Sequence, residues 1–187
     1  MRVITGSAKG KRLKAPKGII TRPTADRVKE SLFNILGSIP CDATVLDLFA
    51  GSGGLGIEAL SRGAIFAIFI DRNAVSCQVI KENLAITGLL TKAEVYRHEM
   101  NKALEILNKQ GKLFTLIFSD PPYMEGLAER SLKKINELKL IVPGGVMVVE
   151  HSRREPLDEV IGDFVLSRKQ HYGDTVISIY TYREGGS

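Results

Sequence analysis

Five consecutive residues, Ser119-Asp-Pro-Pro-Tyr123, carry groups that could bind a planar amine. They follow the apolar run 113–118, which predicts a buried β-strand. The two prolines end that strand, so the Asp120 carboxylate and the Tyr123 phenol would lie in a stiff loop at its C-terminal end, where open α/β sheets bind ligands. The carboxylate and nearby carbonyls accept hydrogen bonds, and the phenol offers a flat face. This set suits a ring bearing an NH2 group, such as a nucleobase, although a turn that merely ends a strand also explains a lone Asp-Pro-Pro.

A second group of residues follows an earlier apolar run and is rich in glycine. Gly51, Gly53 and Gly56 match the pattern G-x-G-x-x-G, and Asp71 lies 20 residues after the first glycine, at the end of the next predicted strand. Such glycines let the backbone approach a ligand, and the helix that follows presents free N–H groups. An aspartate at this spacing can accept both hydroxyls of a ribose. The pattern therefore predicts a nucleotide cofactor.

Asp47, four residues before the first glycine, distinguishes between possible cofactors. A carboxylate at this place would repel the doubly negative pyrophosphate of a dinucleotide, whereas it would attract an ammonium or sulfonium group. S-adenosylmethionine carries both of these cationic groups and a ribose, and it has no phosphate. Asp47 and Asp71 together thus favour S-adenosylmethionine over NAD, and a nicotinamide dehydrogenase remains an alternative that Asp47 disfavours.

These groups require a scaffold, and the chain supplies one by alternating strands with helices. Strands are predicted at 44–49, 65–70, 93–98, 114–119 and 145–150, and helices at 24–36, 55–62, 73–87, 101–110, 125–138 and 155–161. Alternation at these lengths indicates a parallel sheet covered by helices on both faces. The last two strands, 164–170 and 175–182, are separated only by Tyr172-Gly-Asp174 and predict an antiparallel hairpin. The fold class is therefore α/β, with a mostly parallel seven-stranded sheet closed by that C-terminal hairpin.

The length of 187 residues fits one domain, and 44% hydrophobic with 25% charged residues is the composition of a soluble globular protein. No apolar run approaches the roughly 20 residues of a membrane span, and the N-terminus has no signal-peptide core, so we expect a cytoplasmic protein. Cys41 and Cys77 match no metal-ligand spacing, and the three histidines are scattered. We therefore expect no metal, and we expect a monomer because nothing indicates an obligate dimer.

Positive charge is concentrated at the N-terminus. Residues 1–30 contain nine Lys or Arg against two acidic residues, a net charge of +7, whereas the whole chain carries +5, so the remainder sums to −2. Such a concentration favours a polyanionic partner, although a solvated basic tail is the alternative. Apolar residues and glycines interrupt the basic ones, which predicts a small β-hairpin rather than a disordered tail. We predict a basic hairpin arm over 1–22, ahead of the main domain over 23–187.

The two motifs together resemble those of class I S-adenosylmethionine-dependent methyltransferases that act on exocyclic amines. The segment Thr21–Leu36, with Gly145–His151 and Tyr172–Thr175, is similar to the RsmD-type family, which methylates N2 of a guanine in bacterial small-subunit (16S) ribosomal RNA. The resemblance covers nearly the whole chain. It implies a Rossmann-like fold with a small N-terminal hairpin and helix extension, S-adenosyl-L-methionine as cofactor, and ribosomal RNA as partner, within a small-subunit particle.

Carried onto matching positions, the resemblance implies three groups of site residues. The cofactor group is Asp47, Phe49, Ala50, Gly51, Ser52, Gly53, Asp71, Arg72, Glu99 and Met100. The catalytic group, which would bind the target amine and base, is Asp120, Pro121, Pro122 and Tyr123. The RNA group joins the basic arm to the first helix and is Lys9, Lys11, Arg12, Lys14, Arg22, Thr24 and Arg27. Asp47 and the loop from Phe49 to Gly53 would hold the methionine part, Asp71 the ribose hydroxyls, and Arg72, Glu99 and Met100 the adenine.

Alternatives to this function remain open. An adenine-N6 DNA methyltransferase, or another RNA amino-methyltransferase, would share both motifs, but the chain leaves no room for a large target-recognition region. A non-catalytic nucleic-acid-binding module is also conceivable, and the intact residues 120–123 argue against it. Glu150 and His151 end the fifth predicted strand and would either line the pocket or form a satisfied structural pair.

Overall fold

The computed structural model describes residues 1–16, 23–183 and 185, with the backbone alone described for 23–25. The chain divides into two compact units, Met1–His98 and Glu99–Ser187. The predicted boundary between residues 22 and 23 lies at the edge of the described residues, and it stays a prediction. Within the described ranges, no helix is long and apolar enough to cross a membrane.

Besides a short 3-10 helix at Leu90–Lys92, the first unit contains three α-helices and three strands in its described residues. They are α1 (Pro23–Leu36), β1 (Thr44–Leu48), α2 (Gly54–Ser61), β2 (Phe66–Asp71), α3 (Ala74–Thr87) and β3 (Ala93–Arg97). The strands lie in the order β3-β2-β1 and run parallel. Each predicted element of this unit is confirmed to within one residue at either end.

Strands β1 and β2 are buried at nearly every position, because parallel strands are commonly covered on both faces. One carboxylate, that of Asp47, interrupts the apolar run of β1 and is only 3% exposed. A second carboxylate, that of Asp71, ends β2. Both groups are therefore placed at the carboxyl ends of neighbouring parallel strands.

The N-terminal arm, by which we mean residues 1–16 of the described chain, forms the predicted hairpin. Arg2 pairs with Arg12 in an antiparallel bridge, and the Val3 amide donates to the Lys11 carbonyl at 3.0 Å. Val3 and Leu13 are buried, which anchors both sides of the hairpin. The arm is thus an ordered, packed part of the first unit.

The second unit contains two helices and five strands in its described part. They are α4 (Met100–Lys109), β4 (Phe114–Ser119), α5 (Leu127–Leu138), β5 (Ile141–Ser152), β6 (Val160–Ile161), β7 (Phe164–Tyr172) and β8 (Thr175–Tyr182). The strands lie in the order β4-β5-β8-β7-β6. The pair β4 and β5 is parallel, and the remaining pairs are antiparallel, so the predicted C-terminal hairpin is confirmed.

The helix predicted at 155–161 is wrong. Residues 153–159 form turns and irregular chain, and the two residues that follow form β6, which brings to eight the strands in the described residues. Two backbone carbonyls of this segment accept hydrogen bonds from neighbouring strands instead of from a helical turn. The Tyr180 hydroxyl donates to the Asp158 carbonyl at 2.7 Å, and the Leu166 amide donates to the Glu159 carbonyl at 2.7 Å.

Candidate active site

The loop between β1 and α2 turns through three residues in the left-handed region. Phe49, Gly51 and Gly53 have φ angles of 69°, 56° and 77°. The turn is closed by the Gly53 amide, which donates to the Ala50 carbonyl at 2.7 Å, and it is tied to β2 by the Ala50 amide, which donates to the Ile70 carbonyl at 2.9 Å. A left-handed conformation costs a non-glycine residue about 1–2 kcal/mol, and such strain clusters at ligand-binding sites.

The three glycines of the motif have different tasks. A Cβ atom at Gly51 would meet no heavy atom within 4 Å, so the space beside this residue is open to a ligand. A Cβ at Gly53 would meet three side chains at 3.3 Å, and one at Gly56 would lie 2.4 Å from Cε1 of Phe69. Gly56 therefore allows α2 to pack against β2, while Gly51 leaves room over the loop.

Asp47 is buried at the base of this loop. Its Oδ2 accepts a hydrogen bond from the Gly56 amide at 2.8 Å. Burial raises the pKa of Asp47 to about 7, the Gly56 hydrogen bond opposes that rise, and the negative charge of Asp71 adds to it. Because burial makes this carboxylate costly to ionise, a cation placed beside it would strongly stabilise its ionised form. This fits the ammonium group of a methionine-derived cofactor.

Asp71 holds the glycine loop through one carboxylate oxygen and the start of α3 through the other, a role that the sequence did not predict. Oδ2 accepts from the Gly51 amide at 2.9 Å, and Oδ1 accepts from the Asn73 amide at 2.7 Å. Each oxygen keeps a second lone pair, which leaves it able to accept a ribose hydroxyl. The side chain of the adjacent Arg72 is exposed.

In the second unit, the Asp-Pro-Pro-Tyr loop begins where β4 ends, as predicted. Ser119 is buried, and its Oγ lies 3.0 Å from Oγ of the buried Ser131. Asp120 is exposed, Pro121 is buried, and Pro122 is exposed. The chain thus changes from a buried strand to an accessible carboxylate within one residue.

Tyr123 is held by its hydroxyl. This group donates to Oε1 of Glu150 at 2.7 Å and lies 2.9 Å from Oγ1 of Thr175. Burial raises the pKa of Tyr123 well above its usual value, as does the charge of Glu150, although the Thr175 hydrogen bond opposes this. The side chain is nevertheless 40% exposed, which leaves part of the ring accessible.

A third acidic side chain fixes the residues after Tyr123. The carboxylate of Glu155 accepts hydrogen bonds from the Met124 amide and, at 3.1 Å, from the Gly126 amide. Met124 and Gly126 both have positive φ, at 65° and 63°. Glu155 therefore stabilises a turn of unusual backbone geometry immediately after the Asp-Pro-Pro-Tyr loop.

Sequence and structure comparisons agree with these features. The family model described as "Conserved hypothetical protein 95" matches residues 1–181. The Bacillus subtilis protein YlbH is 48% identical over 183 residues, covering 98% of this chain and 100% of its own. Ribosomal RNA small subunit methyltransferase D of Escherichia coli is 36% identical over 181 residues, covering 96% of this chain and 89% of its own.

The chain belongs to the RsmD-type methyltransferase family. The solved structure of the Escherichia coli protein yhhF matches with a TM-score of 0.83 at 34% identity, covering 98% of both chains. An RNA methyltransferase from Salinibacter ruber in complex with S-adenosyl-L-homocysteine matches with a TM-score of 0.64 at 15% identity, over 89% of this chain and 97% of its own, and shows the fold alone. The predicted class I fold is confirmed, and the protein is an S-adenosylmethionine-dependent methyltransferase.

Two further residues of the predicted cofactor group lie at the start of α4. Glu99 is exposed at the N-terminal end of this helix, and its side chain makes no capping hydrogen bond. Met100 is 6% exposed. That these residues contact adenine in this RsmD-type chain stays a prediction, as does each residue role that the resemblance implies.

His151 is a structural residue of this RsmD-type chain. Its Nδ1 lies 3.1 Å from the Ser152 carbonyl and 3.0 Å from the Glu155 carbonyl, so this nitrogen is the donor. Its Nε2 then accepts from the Ser178 hydroxyl at 2.9 Å. Burial lowers the pKa of His151, which keeps the ring neutral. The sequence left Glu150 and His151 as either pocket residues or a satisfied pair. In the structure the His151 ring is satisfied by Ser152, Glu155 and Ser178, and the Glu150 carboxylate accepts the hydrogen bond of Tyr123.

The described members of the predicted RNA group lie at the surface. These exposed residues are Lys9, Lys11, Arg12, Lys14 and Arg27. Lys14 pairs with Glu82 across 2.7 Å. Arg22 and the side chain of Thr24 lie outside the described residues. Lys29, counted in the N-terminal charge, is buried 3.3 Å from Glu58 and is not available to a polyanion.

The described residues contain no candidate metal site, because no group of three or more of their His, Cys, Asp or Glu side chains could hold a metal ion. Cys41 is exposed and Cys77 is buried, and neither forms a disulfide. The expectation of a metal-free enzyme stays a prediction.

Proposed function

We propose that this enzyme transfers the methyl group of S-adenosylmethionine to the exocyclic N2 amine of a guanine in 16S ribosomal RNA of the bacterial small subunit. One observation carries the proposal: the accessible Asp120 follows buried Ser119 directly, with a tethered Tyr123 three residues on. The Escherichia coli relative that shares 36% identity is named for methylation of small-subunit ribosomal RNA. A loop that can bind an amine and a base fits a substrate of that class.

The first unit contains residues that would suit the cofactor. Asp47 would hold the ammonium group, the open space at Gly51 would admit the cofactor, and the free lone pairs of Asp71 would accept the ribose hydroxyls. By the resemblance, Arg72 and the residues at the start of α4 would contact the adenine. When bound, S-adenosylmethionine supplies an electrophilic methyl group on a sulfonium centre.

In the second unit, Asp120 would activate the acceptor amine. The lone pair of guanine N2 is delocalised into the ring, which makes the amine a poor nucleophile. The Asp120 carboxylate and the Pro121 carbonyl would accept hydrogen bonds from the two N–H groups, which frees the lone pair for in-line attack on the methyl carbon. Methyl transfer would replace the S–C bond of the bound cofactor by an N–C bond, and Asp120 or water would take the surplus amine proton. Positioning and electrostatics provide the rate gain, so no covalent enzyme intermediate is needed.

Tyr123 would receive the base by stacking. A base that is modified on an exocyclic amine must leave its helical stack, and proteins commonly hold such bases against aromatic rings. The hydrogen bonds to Glu150 and Thr175 fix the far end of the ring, which lowers the entropy cost of presenting its face.

The N-terminal arm would bind the RNA backbone. Its exposed cations, Lys9, Lys11, Arg12 and Lys14, can contact phosphates without reading sequence. By the resemblance, Arg22, Thr24 and Arg27 would also contact the RNA. Ribosomal RNA within a small-subunit particle is the partner that we infer, and the cytoplasm, where such particles are assembled, is the inferred location.

The proposal is tested by methyl transfer from labelled S-adenosylmethionine. Small-subunit particles that lack the modification and duplex DNA are incubated in parallel, and the products are digested to nucleosides. Label in N2-methylguanosine is the expected result. Label in N6-methyladenine of DNA, or in another RNA base, would replace this target with the alternative one.

Asp120→Ala provides the matched control for that experiment. Because Asp120 would contact the amine and not the cofactor, turnover should fall on the order of 10²-fold or more, while the affinity for S-adenosylhomocysteine changes little. Turnover equal to that of the unaltered enzyme would remove Asp120 from the mechanism.

A further inference from the structure

Asn83, in the middle of α3, joins the N-terminal arm to the glycine loop. Its side chain is fully buried, and its amide makes three hydrogen bonds. Oδ1 accepts from the Lys14 amide at 2.8 Å, Nδ2 donates to the Lys14 carbonyl at 3.0 Å, and the same Nδ2 donates to the Ser52 carbonyl at 2.9 Å. Lys14 belongs to the arm, and Ser52 lies between the two left-handed glycines of the cofactor loop.

The Asn83 position requires one hydrogen-bond acceptor and two donors, and a side-chain amide supplies all three. It pairs with both backbone groups of Lys14 as a neighbouring strand would, and its second N–H remains for Ser52. Aspartate would keep the acceptor but would set a negative charge against two carbonyl oxygens, and alanine would leave all three backbone groups without their buried partner. An asparagine is also a poor helix former, so its presence inside α3 is explained by these contacts rather than by propensity.

The Ser52 carbonyl is a loop group that the hydrogen bonds of Asp71 and Ala50 do not hold. The Gly51 amide is held by Asp71, and the Gly53 amide is held by the Ala50 carbonyl. The peptide carbonyl between those two glycines is held by Asn83. In the loop conformation that includes this hydrogen bond, the space beside Gly51 is open.

We propose that Asn83 is a positioning residue for the cofactor: through it, the N-terminal arm holds the glycine loop in its cofactor-binding conformation. A second contact points the same way, because the Met1 side chain lies against Gly54, the first residue of α2. Arm and cofactor loop are therefore energetically coupled. Since such coupling is reciprocal, cofactor binding stabilises the docked arm to the same extent that the docked arm favours cofactor binding.

The remaining anchors of the arm supply a control, because they do not touch the loop. Oγ of Ser61 accepts from the Ala8 amide at 2.9 Å and donates to the Thr5 carbonyl at 2.6 Å. The Glu58 carboxylate accepts from the amides of Ile4 and Thr5. Ser61→Ala and Asn83→Ala thus each remove buried side-chain hydrogen bonds to the arm, and only Asn83→Ala also releases Ser52.

Calorimetric titration with S-adenosylhomocysteine compares the two variants. Both should unfold at a lower temperature than the unaltered protein. The dissociation constant should rise about 5- to 20-fold in Asn83→Ala, as expected for a lost buried hydrogen bond, and should stay within about twofold in Ser61→Ala. Equal dissociation constants in the two variants would overturn the proposal.

Hydrogen exchange on the unaltered protein gives a second test that does not depend on a variant folding. Saturation with S-adenosylhomocysteine should slow exchange of the Lys14 amide, which bonds to Asn83, more than exchange of the Ile4 and Thr5 amides, which bond to Glu58. Equal or absent slowing at these three amides would contradict the coupling. The inference uses the cofactor but not the RNA target, so failure to methylate small-subunit particles would overturn the proposed function and leave this one standing.

Discussion

The Tyr123 hydroxyl donates a hydrogen bond to the Glu150 carboxylate across 2.7 Å. This bond fixes the end of the ring that lies farthest from the backbone. Burial raises the pKa of Glu150, and the hydrogen bond from Tyr123 opposes that rise. Tyr123 itself stays protonated, so it remains the donor over the whole range in which the enzyme would work. The aromatic face beside Asp120 is therefore held as a rigid surface rather than as a mobile side chain.

Removal of the tether should cost less activity than removal of the ring. Tyr123→Phe keeps the stacking face and loses the hydroxyl contacts with Glu150 and Thr175, so kcat/KM on small-subunit particles should fall about 3- to 10-fold, the effect of a modest loss of hydrogen bonding. Tyr123→Ala also loses base stacking and should fall roughly tenfold further. Glu150→Gln, which keeps an acceptor, should resemble the unaltered enzyme more closely than Glu150→Ala does. A Tyr123→Phe variant as impaired as Tyr123→Ala would mean that the hydroxyl takes part in the chemistry.

Asp71→Ala should weaken both the cofactor complex and the loop that forms it. The lost hydrogen bonds to ribose hydroxyls are worth about 1–3 kcal/mol, and the amides of Gly51 and Asn73 lose their acceptors as well. Calorimetry should show a dissociation constant for S-adenosylhomocysteine raised by roughly 5- to 150-fold. Asp71→Asn keeps one acceptor oxygen, so its dissociation constant should lie between those of the unaltered protein and Asp71→Ala. An unchanged affinity in Asp71→Ala would exclude this residue from the cofactor site.

Much of the fold could be predicted because its signals are local. The buried runs that form β1, β2 and β4 are continuous and apolar, and helix signals separate them, so their order and type follow from the sequence. The positions of Asp47, Asp71 and Asp120 at strand ends follow for the same reason. The failed helix at 155–161 shows the limit: its apolar residues have helical spacing, but strands β7 and β8 take up the backbone groups of Asp158 and Glu159.

The residues that support the site could not be predicted, because their partners are distant in the chain. Asn83 meets Lys14 from 69 positions away, and Glu155 meets Met124 from 31 positions away. An asparagine in a helix and a glutamate after a strand carry no local signal for such contacts. Only the assembled backbone brings these side chains to the groups that they hold.

The N-terminal arm should contribute to RNA binding through charge alone. Lys9→Ala combined with Lys11→Ala should weaken binding to small-subunit particles at low salt. It should also reduce the slope of log affinity against log salt concentration by about 1.4–1.8, since each of the two phosphate contacts contributes roughly 0.7–0.9. The matched control removes two exposed lysines of α4, Lys102 and Lys109. Equal slopes for the arm variant and the unaltered protein would show that the arm does not bind RNA.

The buried Asp47 should make both stability and cofactor binding depend on pH. Its pKa of about 7 in the folded protein lies above the ordinary value of 3.8, so between these limits the native state holds a proton that the unfolded chain has released. The free energy of unfolding without cofactor should therefore fall as pH rises from 4 to 7, by at most about 4 kcal/mol from this group. Asp47→Asn keeps an acceptor for the Gly56 amide and removes the titration, so the variant should gain stability relative to the unaltered protein as pH rises through this window.

Cofactor binding should show the opposite trend, because a proton on Asp47 competes with the ammonium group. The affinity of the unaltered protein for S-adenosylhomocysteine should rise between pH 5 and 7, whereas Asp47→Asn should bind weakly and with little change over the same range. Denaturant unfolding and calorimetry at the two pH values measure both effects. Unfolding free energies that differ between the two proteins by the same amount at pH 5 and pH 7 would show that Asp47 is already ionised in the folded chain, and that its charge is met by the protein itself rather than by the cofactor.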